Sequence, residues 1–306
     1  MPALRPVDAR DVRIGVCLLP ELPWHEAAGL WRQVEDLGAA HAWTYDHLVW
    51  GGLPDSDWYS TMPTLAAAAS VTERIGLGTF VASPNFRHPA LLAKDTVTLD
   101  DISGGRLLLG LGAGGDLDSR LLGAEHTRGQ RTRRFAELVE LTDRLLTEDR
   151  VEHAGEFFTV AGARGRPGCV QQPRVPFVIA ASGPKAMALA VAHGQGWVTT
   201  GTQVGPPTER ATGTASDPAE AWWLGVAEQA TRMDQLEAAA GTGHQPLRRY
   251  LAIDVHGPAV LNTSAAHASE QVARAGELGF TDVVVHWPRP EAPYQGSVAV
   301  LEGLLR

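Results

Sequence analysis

Residues able to do chemistry stand directly after several short apolar runs of this sequence. Asp46 and His47 follow the run from Ala42 to Tyr45, and His256 and His286 close two further runs. An imidazole in such a position can accept or donate a proton near neutral pH. The same run ends are poor in paired carboxylates, which gives two-carboxylate glycoside chemistry little support. Proton transfer by histidine is therefore the first chemical prediction.

Two glycine segments could bring backbone amides close to a ligand. GLGAGG, Gly110 to Gly115, satisfies G-x-G-x-x-G, but it follows a fourth strand and the next residues, DLDSRLLG, predict no helix. Glycines here would let a flat ring or a phosphate approach the backbone closely. The alternative is a tight turn that requires glycine for steric reasons and binds no ligand. In IAASGPKAM a strand runs into Ser182 and Gly183, and Pro184 opens a helix whose N–H groups, beside Lys185, suit a phosphate. A plain capping turn is the alternative there.

A metal-dependent barrel hydrolase is a rival interpretation, because His47, His256 and His286 could converge. The first strand offers no His-x-His, and no carboxylate at the end of the eighth strand could hold a nucleophilic water. We therefore predict no metal ligands, with dispersed, hydrogen-bonded loop histidines as the simpler explanation.

Eight alternations of strand and helix must position these residues. Strands are predicted at Val12–Leu19, Ala42–Tyr45, Ile75–Val81, Arg106–Leu111, Phe177–Ala181, Trp197–Thr200, Tyr250–Val255 and Asp282–His286. Helices are predicted near Trp24–Leu37, Pro63–Thr72, Pro89–Ile102, Gln130–Thr147, Pro184–His193, Ala221–Ala239, Ser269–Leu278 and Val298–Leu304. Short, continuously apolar strands favour a closed (β/α)8 TIM barrel, an α/β fold, over an open sheet. Its active site would lie at the C-terminal ends of the strands.

Two insertions interrupt the alternation. Arg150 to Val160 predicts an extra hairpin near 150–160 that turns at Ala154 and Gly155. Residues 200–218, rich in Gly, Pro and Thr, predict a lid-like insertion over the site, with simple disorder as the alternative. We expect a single domain over residues 1–306.

Composition restricts the partners. The chain has 306 residues and a formal charge of −9, which makes nucleic acid a poor partner. Cys17 and Cys169 are too few for a disulfide framework or a zinc cluster. No signal peptide and no apolar run of roughly 18 residues is present, so we expect a soluble, cytoplasmic protein that does not enter a membrane.

Three segments together resemble the luciferase-like superfamily of flavin and deazaflavin enzymes. They are WTYDHLVW (Trp43–Trp50), TERIGLGTFVASPNFRHPALLAKDTVTLDDISGGRLLLGLGAGG (Thr72–Gly115) and PFVIAASGPKAMALAVAHGQGWV (Pro176–Val198). The resemblance implies an oxidoreductase that uses FMN or coenzyme F420 on a small organic substrate. It implies either a reductase or dehydrogenase that moves hydride, or a monooxygenase supplied with reduced FMN by a flavin reductase. It also implies a homodimer.

The resemblance also implies roles for individual residues. His47 would be the catalytic base or proton donor, and Phe80–Val81 would be a non-proline cis peptide behind the cofactor ring. The ring would border Gly112, Ala113 and Gly114, and the phosphate end would contact Ala181, Ser182, Gly183, Pro184 and Lys185. The resemblance also puts Trp50 in the pocket that His47 lines. Apart from the resemblance, further candidates for substrate contact are Trp24, His256, His286, Trp287 and Arg289. Packing at the rim is the alternative for the aromatic residues.

Two positions depart from relatives. Ala113 stands where bacterial luciferase has an arginine near the phosphate, and Gly115 stands where F420-dependent glucose-6-phosphate dehydrogenases have a catalytic glutamate. We therefore do not expect that sugar-phosphate activity. A barrel that binds a flavin without catalysis is a further alternative, and the presence of His47 argues against it.

Overall fold

Eight parallel strands close into a barrel in the computed structural model, which describes residues 7–201, 217–241, 243–258 and 260–306. The strands are β1 Arg13–Cys17, β2 His41–Thr44, β3 Gly76–Thr79, β4 Leu107–Leu111, β5 Arg150–Ala154, β6 Thr159–Arg164, β7 Phe177–Ala180, β8 Gly196–Thr199, β9 Arg248–Ala252 and β10 Asp282–His286. The barrel order is β1-β10-β9-β8-β7-β4-β3-β2, and β5 pairs only with β6. The predicted (β/α)8 barrel is confirmed.

Helices follow the barrel strands as the periodicity predicted. They are α1 Trp24–Asp36, α2 Thr61–Val71, α3 Pro89–Ser103, α4 Leu117–Leu121, α5 Arg128–Thr147, α6 Pro184–His193, α7 Pro218–Ala239, α8 Ala265–Glu277 and α9 Val298–Leu305. The start of α8 lies before the predicted Ser269 because the Ser264 side chain accepts a hydrogen bond from the His267 N–H and caps the helix there.

The expectation that DLDSRLLG forms no helix is wrong. Leu117 to Leu121 form the short helix α4 between β4 and α5. A single five-residue helix has too few residues to show an apolar period, and such a helix depends on tertiary contacts more than on propensity. One of those contacts, made by Asp118, reaches the candidate active site.

The predicted extra hairpin is present and longer than expected. β5 and β6 pair antiparallel, and β6 continues to Arg164. The carboxylate of Glu137 in α5 accepts hydrogen bonds from the N–H groups of Phe157 and Phe158, which fastens the turn to the helix. The lid-like insertion predicted near 200–218 falls largely on residues 202–216, which lie outside the described part of the chain.

Charged side chains close the N-terminal end of the barrel. The Asp282 carboxylate, fully buried, lies 3.0 Å from His41 Nε2 and 2.8 Å from Arg13 Nε, and it also accepts from Arg248. The Trp43 indole N–H donates to His41 Nδ1 over 2.6 Å. A buried carboxylate is tolerated when it is paired in this way. The opposite, C-terminal end is therefore the one left to bind a ligand.

None of the described helices is both long enough and apolar enough to cross a membrane.

Candidate active site

A cavity of about 490 Å³ opens at the C-terminal ends of the strands. This volume falls within the range of roughly 300–1,000 Å³ that ligand pockets occupy. Its lining residues come from six strand ends and their loops: Tyr45, His47, Trp50, Phe80, Val81, Gly114, Gly115, Ala180, Ala181, Ser182, Val198, Thr199, Thr200, Val255 and His256. The fold thus brings His47, after β2, and Ser182, after β7, to one cavity at the barrel mouth, with β3 and β4 between the two strands.

His47 is held by a carboxylate that the sequence did not point to. Its Nδ1 lies 2.7 Å from Asp118 Oδ2, and the backbone N–H of Leu48 donates to Asp118 Oδ1 over 2.8 Å. The Asp118 side chain is 1% exposed and that of His47 is 25% exposed. In the described part of the chain no group bonds to His47 Nε2, which leaves this nitrogen available to a ligand.

Aromatic side chains form the wall beside His47. Tyr45 and Trp50 line the cavity with their rings 5.2 Å apart. Tyr294, from the loop after β10, stacks on Trp50 at 5.9 Å and donates or accepts a hydrogen bond with Tyr45 over 2.7 Å. Tyr294 therefore supports two residues of the cavity wall, and no sequence pattern indicated it.

His286 lies behind this wall and does not line the cavity. Its Nδ1 lies 2.7 Å from Asp254 Oδ1, its Nε2 lies 2.9 Å from the Tyr45 hydroxyl, and Tyr294 stacks on its ring at 3.5 Å. Burial raises the pKa of Tyr45, so the phenol stays protonated. Both ring nitrogens of His286 are engaged in these hydrogen bonds. His286 is therefore not placed to act with His47 and His256 as the ligands of the metal site considered above as a rival.

The first half of GLGAGG packs against β3 and the residues after it. A Cβ on Gly110 would lie 1.9 Å from the Thr79 carbonyl oxygen, and a Cβ on Gly112 would lie 2.4 Å from Val81 Cγ2. The Phe80–Val81 peptide is cis, as the resemblance implied. Gly110 is thus explained by its packing against the β3 backbone and Gly112 by its packing against the Val81 side chain. Gly112 is also absent from the cavity wall.

The second half of the segment faces the cavity. Gly114 adopts φ +66°, and a Cβ on Gly115 would meet nothing within 4 Å. Behind Gly114, Ser83 Oγ and Asn85 Oδ1 are buried without a described hydrogen-bond partner. Ala113 is partly buried against the core instead. A flat ring could therefore approach the backbone at Gly114 and Gly115.

The start of α6 offers an open helix N-terminus beside Ser182. Gly183 is the N-cap and provides no side-chain cap, and a Cβ there would meet nothing within 4 Å. Pro184 and Lys185 are exposed in the first turn. Unsatisfied N–H groups and a nearby ammonium are suited to a phosphate. Ala181 and Ser182 line the adjoining cavity wall.

Besides His286, three other expected substrate contacts lie outside the mouth cavity. Trp24 lines a separate cavity of about 340 Å³ beside α1 and α2. Trp287 packs against the main core, and Arg289 forms an ion pair of 2.7 Å with Glu21. Of the six candidates, Trp50 and His256 are the two that line the mouth cavity.

Comparisons with a family model and with curated proteins identify the same family. The model of the luciferase-like monooxygenase family matches residues 12–215. A 5,10-methylenetetrahydromethanopterin reductase of Archaeoglobus fulgidus is 32% identical over 187 residues, 60% of this chain and 52% of the relative. An F420-dependent glucose-6-phosphate dehydrogenase of Microbacterium testaceum is 34% identical over 175 residues, 54% of this chain and 49% of the relative. The matches thus span about half the length of these relatives.

The fold is also found among solved structures. An F420-dependent secondary alcohol dehydrogenase, in complex with an F420-acetone adduct, superposes with a TM-score of 0.72 at 17% identity, covering 90% of this chain and 93% of that one. At this identity the similarity concerns the barrel and its order of elements.

Proposed function

Because the chain belongs to the luciferase-like monooxygenase family, we propose that it is an oxidoreductase that binds coenzyme F420 at the barrel mouth and moves hydride to or from a small organic substrate. The observation that carries this proposal is the meeting of His47, Phe80–Val81 and Ser182 at one cavity. F420 is preferred to FMN because several relatives matched by sequence are named as F420-dependent. The sugar-phosphate activity of those relatives is not proposed, since Gly115 offers no carboxylate.

We propose one orientation for such a cofactor in the cavity. Its ring would lie against Gly114, Gly115 and the Phe80–Val81 peptide, where the backbone leaves room. Its phosphate would lie at Ser182 and the first turn of α6, where N–H groups are open. When bound, the ring supplies the carbon that accepts or gives the hydride.

His47 would manage the proton that accompanies the hydride. When a C–OH or C–NH group is oxidised to C=O or C=N, the carbon loses a hydride and the oxygen or nitrogen loses a proton. Nε2 of His47 would take that proton, and in the reverse direction it would return it to the same atom. Trp50 and Tyr45 would exclude water from the reacting groups, since their rings close one side of the cavity.

Further features of the proposal concern the setting of the enzyme. We infer a cytoplasmic protein, because Cys17 and Cys169 are both buried and unpaired, which suits a reducing compartment. A homodimer is proposed by family resemblance. A flavin reductase would be a partner only if the cofactor were reduced FMN, which is the competing outcome of the test below.

The test is a spectroscopic titration of the purified protein with oxidised and reduced F420 and, separately, FMN. Gly115→Trp would fill the cavity and abolish F420 binding, because a side chain at this position meets only open space. Gly168→Trp is the matched control, since Gly168 is equally unobstructed and exposed outside the cavity lining. Tight binding of FMN with none of F420 would overturn the choice of cofactor. No binding of either would overturn the proposed function.

A further inference from the structure

We infer that Asp118 is a positioning residue, which holds His47 in the tautomer protonated at Nδ1 and so keeps Nε2 ready to accept a proton from substrate. The catalytic consequence rests on the proposed function. The tautomer itself does not, because it follows from contacts within this chain.

The contacts define which atom carries the hydrogen. An ionised carboxylate only accepts hydrogen bonds, so the Nδ1 that lies 2.7 Å from Asp118 Oδ2 must be the donor. The other oxygen, Oδ1, already accepts from the Leu48 N–H. With Nδ1 protonated, a neutral His47 carries its lone pair on Nε2.

Burial makes this arrangement specific. The Asp118 side chain is 1% exposed, so water does not compete for its oxygens. A hydrogen bond to a charged acceptor is about twice as strong as one between neutral groups. An imidazole in water exchanges between its two tautomers, and the buried carboxylate selects one of them.

The segment that carries Asp118 is itself fixed. Ser119 Oγ donates to the Asp116 carbonyl, and the Ala124 N–H donates to the Ser119 carbonyl, which closes α4 at both ends. On the other side, the rings of His47 and Tyr45 pack in a T-shaped arrangement with their centroids 6.0 Å apart. The imidazole is therefore held both in its plane and in its tautomer.

Asp118→Asn separates this role from simple packing because the substitution reverses one hydrogen bond. The Leu48 N–H still requires an acceptor, so the side-chain oxygen of the introduced amide takes the place of Asp118 Oδ1 and faces this N–H. The amide NH₂ then faces His47 Nδ1 and can only donate. His47 must accept at Nδ1 and carry its hydrogen on Nε2, where it can no longer act as a neutral base.

The tautomer can be measured by ¹⁵N NMR of histidine-labelled, cofactor-free protein, with His47 assigned from the signal lost in His47→Gln. We expect the Nδ1-protonated form in the wild type and the Nε2-protonated form in Asp118→Asn. Asp116→Asn is the matched control, because this aspartate is two positions away and exposed, and its carboxylate pairs with Arg120 in the described part of the chain. Its His47 signal is expected to equal that of the wild type. A wild-type signal from the Nε2-protonated form would overturn the inference, whether or not the variants fold.

Turnover provides the second readout. An Asp-to-Asn change behind the histidine of the serine protease triad lowers turnover by about 10⁴-fold through the wrong tautomer. We expect Asp118→Asn to lower turnover by about 10²- to 10⁴-fold with little change in F420 affinity, and Asp118→Glu to restore part of it. A switched tautomer with unchanged turnover would overturn the catalytic consequence. Absence of F420 binding in the wild type would contradict the proposed function and leave the tautomer result in force.

Discussion

Nε2 of His286 lies 2.9 Å from the hydroxyl of Tyr45, a contact between residues 241 positions apart in the chain. It joins the end of β10 to the residue after β2 beneath the cavity wall. The same hydroxyl also contacts the Tyr294 hydroxyl at 2.7 Å, so a single phenol bonds both the buried His286 and the partly buried Tyr294. His286 therefore supports the aromatic wall of the cavity from behind and does not line the cavity where a substrate would bind.

Tyr45→Phe tests this support. Loss of the hydroxyl would leave His286 Nε2 without its partner, and an unsatisfied buried polar group costs about 1–3 kcal/mol. We expect the free energy of unfolding, measured by urea denaturation, to fall by about that amount. Tyr59→Phe is the control, since Tyr59 is 42% exposed and its change should have little effect. Equal stability of the two variants would contradict a structural role for the contact.

His47→Ala tests proton transfer against cofactor binding. We expect F420 affinity to stay within about tenfold, or 1.4 kcal/mol, while turnover falls by about 10²- to 10⁴-fold because acid–base help is lost. Binding is measured by titration and turnover at saturating cofactor. His25→Ala, at a side chain that is 80% exposed, is the control. Full turnover in a folded His47→Ala protein would make His47 an ordinary loop histidine.

The double change Ser182→Ala and Lys185→Gln tests the phosphate end. These groups are remote from the reacting ring, so their loss should weaken F420 binding by about tenfold while turnover recovers at saturation. Binding should also become less sensitive to salt, because a charge has been removed. Arg120→Gln removes a cation that is already paired with Asp116 and should change neither quantity. An unchanged dissociation constant would place the phosphate elsewhere on the rim.

The pH dependence of stability should report His41. Burial lowers the pKa of His41 from its usual 6.5, and it outweighs the opposing effect of Asp282. The hydrogen bond from Trp43 to Nδ1 acts in the same direction, because it favours the neutral ring. As pH falls below about 6.5, His41 binds a proton in the unfolded chain before it does so in the folded protein. The contribution of neutral His41 to the free energy of unfolding is therefore complete above that pH and is lost as pH falls below it.

The measurement is urea denaturation between pH 7.5 and 5. We expect the free energy of unfolding to fall by up to about 1.4 kcal/mol per pH unit from this group. His41→Gln should be less stable at every pH but show a shallower decline. His25→Gln, at an exposed position, should keep the wild-type slope. Identical slopes for all three proteins would contradict the assignment to His41.

The barrel was predictable because its signals are local. Short apolar runs followed by helical periodicity indicate buried parallel strands, and the C-terminal ends of such strands meet at one mouth of a barrel. This rule alone predicts that His47, Phe80–Val81 and Ser182 lie at the same end. Glycine patterns were less decisive. The sequence could not show which glycines of GLGAGG are needed for close packing and which border the cavity. The structure does so, because Gly112 packs against Val81 whereas Gly115 faces open space.

Tertiary structure alone decided the partners of the site residues. Asp118 is 71 positions from His47, and Tyr294 is 249 positions from Tyr45, so no local pattern could pair them. The conformation of the segments that follow the strands, which depends on long-range packing, placed Asp118 and Tyr294 at the site and Trp24 at another cavity. The sequence determined which strand ends form the mouth because strand periodicity is a short-range property. Which residues touch there was decided only by the fold, because hydrogen bonds require positions accurate to a few tenths of an ångström.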